Sequence, residues 1–346
     1  MSDGFQAPSA EDRARWLARI GEPGAHTEIA SDLGCLRDVD VEPLAAAAPP
    51  SGWLRVATWN IERGRDPEAI AALIASTGAD VTLLSEVDVG MGRTGNRDVA
   101  RAIAGRLSAG SVYGVEFVEL GLGKQVELRG VAPTENGSAL HGNAIVTSAA
   151  IERPEVVRLD DGGDWFTHAR GEPRVGGRCA VIAATTLDGV SIDLASVHLE
   201  SHSDPAHRAR QFTRLLERLD ARGADAALIG GDLNTFSGVL AELDADRNTV
   251  RRLRSVEPGR FSWPVAHEPL FDAAARHGFE WVDANVPAPT THHDGLGLPD
   301  HVPAKLDWIL VRGLEARRPT VVHASSPDGA KLSDHELLAV SVRPAR

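Results

Sequence analysis

The 346 residues carry 36 Lys and Arg against 49 Asp and Glu, a formal net charge of −13, and that acidic balance argues against a protein that holds nucleic acid through its phosphates. Hydrophobic residues at 42% and charged residues at 25% are those of an ordinary globular chain, long enough for a full core. No apolar run reaches membrane-spanning length, the N-terminus lacks a basic-then-apolar leader, and two cysteines without Cys-X-X-Cys spacing exclude a disulfide scaffold and a structural zinc site. The expected compartment is the cytoplasm, with Cys35 and Cys179 as buried small residues. Lysine occurs only at 124, 305 and 331, and the excess of arginine is read as codon bias rather than as phosphate contacts.

Residues 1–50 read as an N-terminal extension, with helical spacing from Ala10 to Ile20 and a linker at Leu44-Ala45-Ala46-Ala47-Ala48-Pro49-Pro50. The arm is expected to pack onto a main domain spanning 51–346, with a disordered tail as the competing reading. That domain opens with a strand, Leu54 to Ile61, whose end carries Asn60. Asp66-Pro67 then start a helix with Ile70, Leu73 and Ile74 on one face and Gly78 as its stop. The strand Asp80 to Glu86 follows and ends on a carboxylate. Thr94 to Asp98 lead into a helix reaching Leu107. Arg93, Asn96 and Arg97 there read either as rim contacts to a substrate or as a capped helix start with solvated charges. Gly114 to Leu120 and a glycine-broken loop follow, and a further strand runs from His141 to Ser148, with Asn143 as a substrate contact or a turn residue.

The second half repeats the plan. The strand Ser191 to Leu199 carries His198, and Asp204-Pro205 begin a helix with Phe212, Leu215, Leu216 and Leu219 on one face and Gly223 as its stop. A buried strand, Ala226 to Asn234, then ends in Gly230-Gly231-Asp232-Leu233-Asn234, its glycines suited to close approach by a ligand or a second backbone. Alternation would place Asp232 and Asn234 on one side, able to orient and activate a water, although Gly-Asp-X-Asn is also ordinary turn chemistry. Arg251, Arg252 and Arg254 read as a solvated helix face. His292, His293, Asp294, Asp300 and His301 lack the helical spacing of a zinc site. Asp307 lies inside the apolar strand Leu306 to Val311 and needs a partner. His335, before the strand Leu337 to Val342, is the obvious one, because an Asp on one ring nitrogen fixes the tautomer of the other, although Ser333-Asp334-His335 alone is also ordinary capping chemistry.

A strand, helix, strand unit crosses over right-handedly into parallel neighbours, so both of its strands end at one edge. Asn60 should therefore meet Glu86, and His198 should meet Asp232 and Asn234, at the edge where open sheets bind ligands.

Thr58-Trp59-Asn60, Ser85-Glu86-Val87, His198-Leu199-Glu200-Ser201, Gly231-Asp232-Leu233-Asn234, Leu306-Asp307-Trp308 and Ser333-Asp334-His335 stand in the order of a known group. Over residues 53–343 the chain resembles the endonuclease/exonuclease/phosphatase superfamily. The resemblance implies an α/β fold, a four-layer α-β-β-α sandwich with two central mixed sheets. By the same resemblance Glu86 is the principal Mg²⁺ ligand, with Asn60 and Asp334 beside it and Mn²⁺ as a possible substitute. Asp232, held by Asn234, orients and deprotonates the attacking water; His335, paired with Asp307, stands at the scissile phosphate; His198 contacts a non-bridging oxygen. Which group is the general base stays open. Glu62 departs from the Asp of several DNA-repair members. His198-Leu199-Glu200-Ser201, with Arg208 and Gln211 on the next helix, is similar to the tyrosyl-DNA phosphodiesterase branch, and Arg208 joins Arg93, Asn96 and Asn143 as a candidate substrate contact.

The function these residues imply is a Mg²⁺-dependent phosphodiesterase acting on a small or lipid-derived phosphodiester by in-line attack of water. DNA or RNA as substrate is the alternative, and a non-catalytic phosphate-binding module is a third reading. No protein partner is evident.

Overall fold

A computed structural model describes residues 5–44, 51–124, 128, 135–167, 171–235, 255–291 and 303–345. Strands β1 (Val39–Glu42), β2 (Leu54–Arg63), β3 (Val81–Val89), β4 (Gly110–Glu119), β5 (Leu140–Thr147), β7 (Arg174–Gly176), β12 (Leu314–Val322) and β13 (Leu337–Pro344) make the first sheet. Its order is β1-β4-β5-β3-β2-β13-β12, with β7 also on β4. The second sheet joins β6 (Glu152–Arg158), β8 (Cys179–Leu187), β9 (Val190–His198), β10 (Ala226–Asp232) and β11 (Asp307–Arg312) in the order β11-β10-β9-β8-β6.

In each sheet one parallel pair arises where a helix connects two strands, as the crossover rule requires. Between parallel β2 and β3 lies α3 (Pro67–Ser76), and between parallel β9 and β10 lies α6 (Pro205–Arg222). The remaining paired neighbours are antiparallel. Asp66 and Asp204 cap these helices by accepting the backbone N–H three residues on, with proline at the first helical position. Gly78 and Gly223 follow them in left-handed backbone.

Side-chain alternation sorts the core into three layers. Val56, Leu83, Ile145, Val181, Leu194, Leu228, Ile309 and Val340 fill the space between the two sheets. Ile70 and Ile74 of α3, with Ile103 of α4 (Val99–Leu107), cover the outside of the first sheet against Trp59 and Leu84. Phe212, Leu215, Leu216 and Leu219 of α6 cover the outside of the second with Leu270 and Phe271, which lie on the helix Pro269–Arg276. Each buried Leu, Ile or Phe contributes about 1.5–3 kcal/mol of transfer free energy. The result is the four-layer sandwich that the resemblance implies. Among the described residues no helix is long and apolar enough to cross a membrane.

The first described residues belong to this body: Phe5, Ala25 and Ile29 are buried in the outer layer of the first sheet, and β1 extends that sheet along β4. The first helix covers Ala10–Leu17 and stops short of Ile20, ahead of a turn at Gly21 in left-handed backbone. Residues 45–50, Arg251, Arg252, Arg254, His292, His293, Asp294, Asp300 and His301 lie outside the described residues.

Backbone irregularities cluster where strands end. Glycine is required at 231, since a Cβ there would stand 1.8 Å from the Val197 carbonyl oxygen of the neighbouring strand. Register shifts interrupt β2 between Asn60 and Arg63 and β3 between Leu84 and Val87. Glu62, Arg63 and Glu86 take left-handed backbone there, at φ 44, 77 and 56. Such bulges re-aim side chains, and these bring Arg63 and Glu86 to one opening.

Candidate active site

The carboxyl ends of β2, β3, β9 and β10 converge on a polar cleft of about 150 Å³, lined by Arg63, Glu86, His141, His198, Asp232, Asn234 and His335 together with Lys124, Glu172, Arg174 and Arg178. A larger opening of about 810 Å³ shares Trp165 and His202 with it.

Asp232 is the centre. The Asn60 amide donates to Asp232 Oδ2 at 3.1 Å and to Glu86 Oε1 at 3.2 Å, so one side chain bridges the carboxylates of the two sheets. The expected meeting of Asn60 with Glu86 is thus present. Asp232 Oδ1 accepts from the Asn234 backbone N–H at 2.8 Å. Asn234 leaves the strand in left-handed backbone, φ 49, and its amide donates to the Leu199 carbonyl at 2.9 Å while the residue still lines the cleft beside Asp232. The main chain of Asn234 holds Asp232. Burial pushes the Asp232 carboxyl up to about 7, against the opposing pull of His335.

Two imidazoles face Asp232 Oδ2, His198 Nε2 at 3.5 Å and His335 Nε2 at 3.7 Å. They are held in opposite states. His335 Nδ1 lies 2.8 Å from Asp307 Oδ2, which also accepts from Thr290 Oγ1 at 2.7 Å. Burial disfavours the charged ring, but Asp307 and Asp232 raise His335 well above the ordinary histidine range. His198 Nδ1 instead sits 2.9 Å from Arg178 Nη1. A guanidinium can only donate, so Nδ1 carries the lone pair and the proton sits on Nε2, toward Asp232. Burial first, and Arg178 second, hold His198 well below the ordinary range. Arg178 is in turn fixed by Glu116 at 3.2 Å and Glu200 at 3.1 Å. The Arg178→Lys variant keeps the charge but not the fork that spans Glu116, Glu200 and His198. It is expected to lose about tenfold in rate and to gain an acidic limb as His198 becomes able to protonate. A pH–rate profile beside ¹⁵N shifts of the His198 ring checks this; an unchanged profile would leave Arg178 a packing residue.

On the other side of Asn60 stand three carboxylates, Glu62, Glu86 and Asp334. Burial raises Glu62, and Asp334 and Glu86 raise it further, while Lys331, 3.5 Å away, pulls it back. Burial works against ionisation of Glu86, yet Arg63, His198 and His141 hold it well below the carboxylate range. Crowded, mutually repelling oxygens of this kind fit a hard divalent cation. Asn60 Oδ1 accepts from the Glu62 N–H at 3.1 Å, so the amide turns its nitrogen, not its oxygen, toward Glu86. Asp232, Asp307 and His335 each present a donor atom within 4.8 Å of the others, and that group too could hold an ion.

Four candidate contacts lie elsewhere. Arg93 is fully buried and bound to Asp88 at 2.8 Å, Glu119 at 3.2 Å and Glu172 at 3.1 Å, as the floor beneath the cleft. Asn96 ties down a loop, donating to Glu135 O at 3.2 Å and accepting from the Gly137 N–H at 2.8 Å. Asn143 donates to the Cys179 carbonyl at 2.9 Å, deep between the sheets. Arg208 binds Glu268 at 2.6 Å and the Ser203 carbonyl at 2.7 Å. Arg93, Asn143 and Arg208 satisfy buried acceptors that would otherwise lose their hydrogen bonds, Asn96 is exposed, and none of the four lines the cleft. The basic residues that do line it are Arg63, Lys124, Arg174 and Arg178. Arg63 was legible as the next charge after Asn60-Ile61-Glu62, and Arg178 as an arginine opening the apolar run Cys179 to Leu187.

Residues 57–335 match the Endonuclease/Exonuclease/phosphatase family. No curated protein matches. Among solved structures, an endonuclease/exonuclease/phosphatase from Beutenbergia cavernae is similar at TM-score 0.57 and 18% identity, covering 85% of this chain and 72% of that one. One from Bacteroides vulgatus gives 0.54 and 15%, covering 85% and 100%. TDP2 from Caenorhabditis elegans gives 0.51 and 18%, covering 84% and 74%. These likenesses carry the fold. With the match running from the second strand to the histidine that faces Asp232, the chain belongs to the endonuclease/exonuclease/phosphatase family.

Proposed function

We propose that the protein is a Mg²⁺-dependent phosphodiesterase acting on a small or lipid-derived phosphodiester by in-line attack of water. Members of the family are generally metal-dependent phosphoesterases. The observation that carries the reading is Asp232, buried, pushed up to about 7 and faced by two imidazoles in opposite protonation states. Asp232 takes the proton of the attacking water, because His335 already holds its own protons and His198 is committed to Arg178. His335 and His198 both direct Nε2–H groups at the place where phosphoryl oxygens gain charge. Asp307 keeps His335 oriented and charged through the step. Glu86 and Asp334, with Asn60 between the carboxylates, would hold the cation, which supplies positive charge against the phosphoryl oxygens.

A small substrate is supported by the dimensions, a 150 Å³ cleft for the phosphate beside an 810 Å³ opening for the rest. The net charge of −13 also weighs against long nucleic acid. Hydrolysis of bis(p-nitrophenyl) phosphate beside the monoester, with Mg²⁺, Mn²⁺ or chelator, tests the reading. A diester rate abolished by chelator is expected. Monoester preference would move the protein to the phosphatases, and a steep salt dependence with oligonucleotides would favour nucleic acid.

A further inference from the structure

A cation at Glu86 would meet a competitor already in place. The bulge after Asn60 turns the Arg63 guanidinium into the cleft, where Nη1 pairs with Glu86 Oε2, the two side chains being 10% and 20% exposed. Among the described residues Glu86 hydrogen-bonds Asn60 and Arg63 alone. Arg63 Nη2 lies 3.6 Å from Glu172 Oε1. Glu172 does not depend on it, being met by Arg93 at 3.1 Å, Arg174 at 2.9 Å and Lys124 at 3.2 Å. One carboxylate therefore needs Arg63, and another stands ready to receive it.

We propose that Arg63 occupies the Glu86 oxygen in the metal-free protein and yields it to a divalent ion by turning to Glu172, so that this arginine sets the affinity of the cation site. The inference rests on the reading of Glu86 as a cation ligand. A guanidinium and a dication on one carboxylate repel each other, so each lowers the occupancy of the other. Taking the arginine away has two effects of opposite sign. The metal-free protein loses the partner of a largely buried carboxylate, and the incoming ion loses its rival. A purely structural arginine would lower stability equally with and without metal.

Mn²⁺ binding, read from the free-ion EPR signal without substrate, separates the cases. Arg63→Gln is expected to bind Mn²⁺ about tenfold tighter than the unaltered protein, with a lower Tm in chelator and a larger rise in Tm on adding Mn²⁺. Should that variant not fold, Arg63→Lys, which keeps charge with a poorer fit, is expected to tighten binding by a smaller factor. Equal or weaker binding in the variant that folds, with Glu86→Gln still abolishing it, overturns the role of Arg63 alone. Binding unaffected by Glu86→Gln overturns the assignment of Glu86, and this inference with it.

Discussion

Replacing Asp232 by Asn is expected to lower kcat by about 10³-fold while leaving the protein folded. The amide has the shape of the carboxyl and can still accept the Asn234 N–H, but its NH2 then stands where Oδ2 accepts from Asn60, and it cannot take a proton from water. Its effect on stability should change with pH. The Asp232 carboxyl is pushed up to about 7 by burial, far above an unfolded value near 4. A group raised in this way contributes stability that is complete below the unfolded value and lost as pH rises through the folded one. The Asn variant has no such loss. Its Tm relative to the unaltered protein should therefore climb between about pH 4 and pH 7 in metal-free buffer. Melting curves at pH 5 and pH 8, beside kcat on a chromogenic diester, check both halves. A variant that retains turnover would remove Asp232 from the chemistry.

Arg93→Met should have the largest effect on the fold, about 3–5 kcal/mol of unfolding free energy. Its guanidinium is entirely buried and meets Asp88, Glu119 and Glu172 at once. Without it three acidic groups share the interior with less positive charge than they need. Asp88 is the most exposed to the loss. Burial opposes its ionisation, and Arg93 is the main group that holds it well below the usual carboxylate range. Asp88 also accepts His141 Nδ1 at 2.8 Å, and His141 lines the cleft, so the damage reaches the site. Urea unfolding at neutral pH measures the loss. A change under about 1 kcal/mol would mean that water or neighbouring bases neutralise the cluster.

Arg93 also shows where sequence reading stops. A basic residue before a helix cap is indistinguishable in sequence whether it faces solvent or three buried carboxylates, because its partners come from β3, β4 and the chain ahead of β7. Elements with strong local signals were readable: the Asp-Pro caps of α3 and α6, their glycine stops, and the parallel pairs that bring Asn60 to Glu86 and His198 to Asp232. The pairing of Asp307 with His335 followed from the need of a buried carboxylate for a partner. Strands β8 and β12 gave little to read. The first is rich in alanine, and the second is half-exposed along most of its length, so neither shows clean alternation. The bond from the Asn234 side chain to the Leu199 carbonyl was hidden for another reason, since the sequence does not say at which residue a strand stops.

The three lysines of this arginine-rich chain all lie beside the site. Lys124 lines the cleft, Lys331 stands 3.5 Å from Glu62, and Lys305 donates to the Asp307 carbonyl at 3.2 Å from a buried position. The consequence is practical. Amine-directed reagents, whether fluorophore esters, reductive methylation or coupling to a resin, will modify Lys124 in the cleft and Lys331 beside Glu62, together with the α-amino group, and leave most of the surface untouched. Labels for binding work belong instead on an engineered surface cysteine, where the two native thiols offer no competition because both are buried.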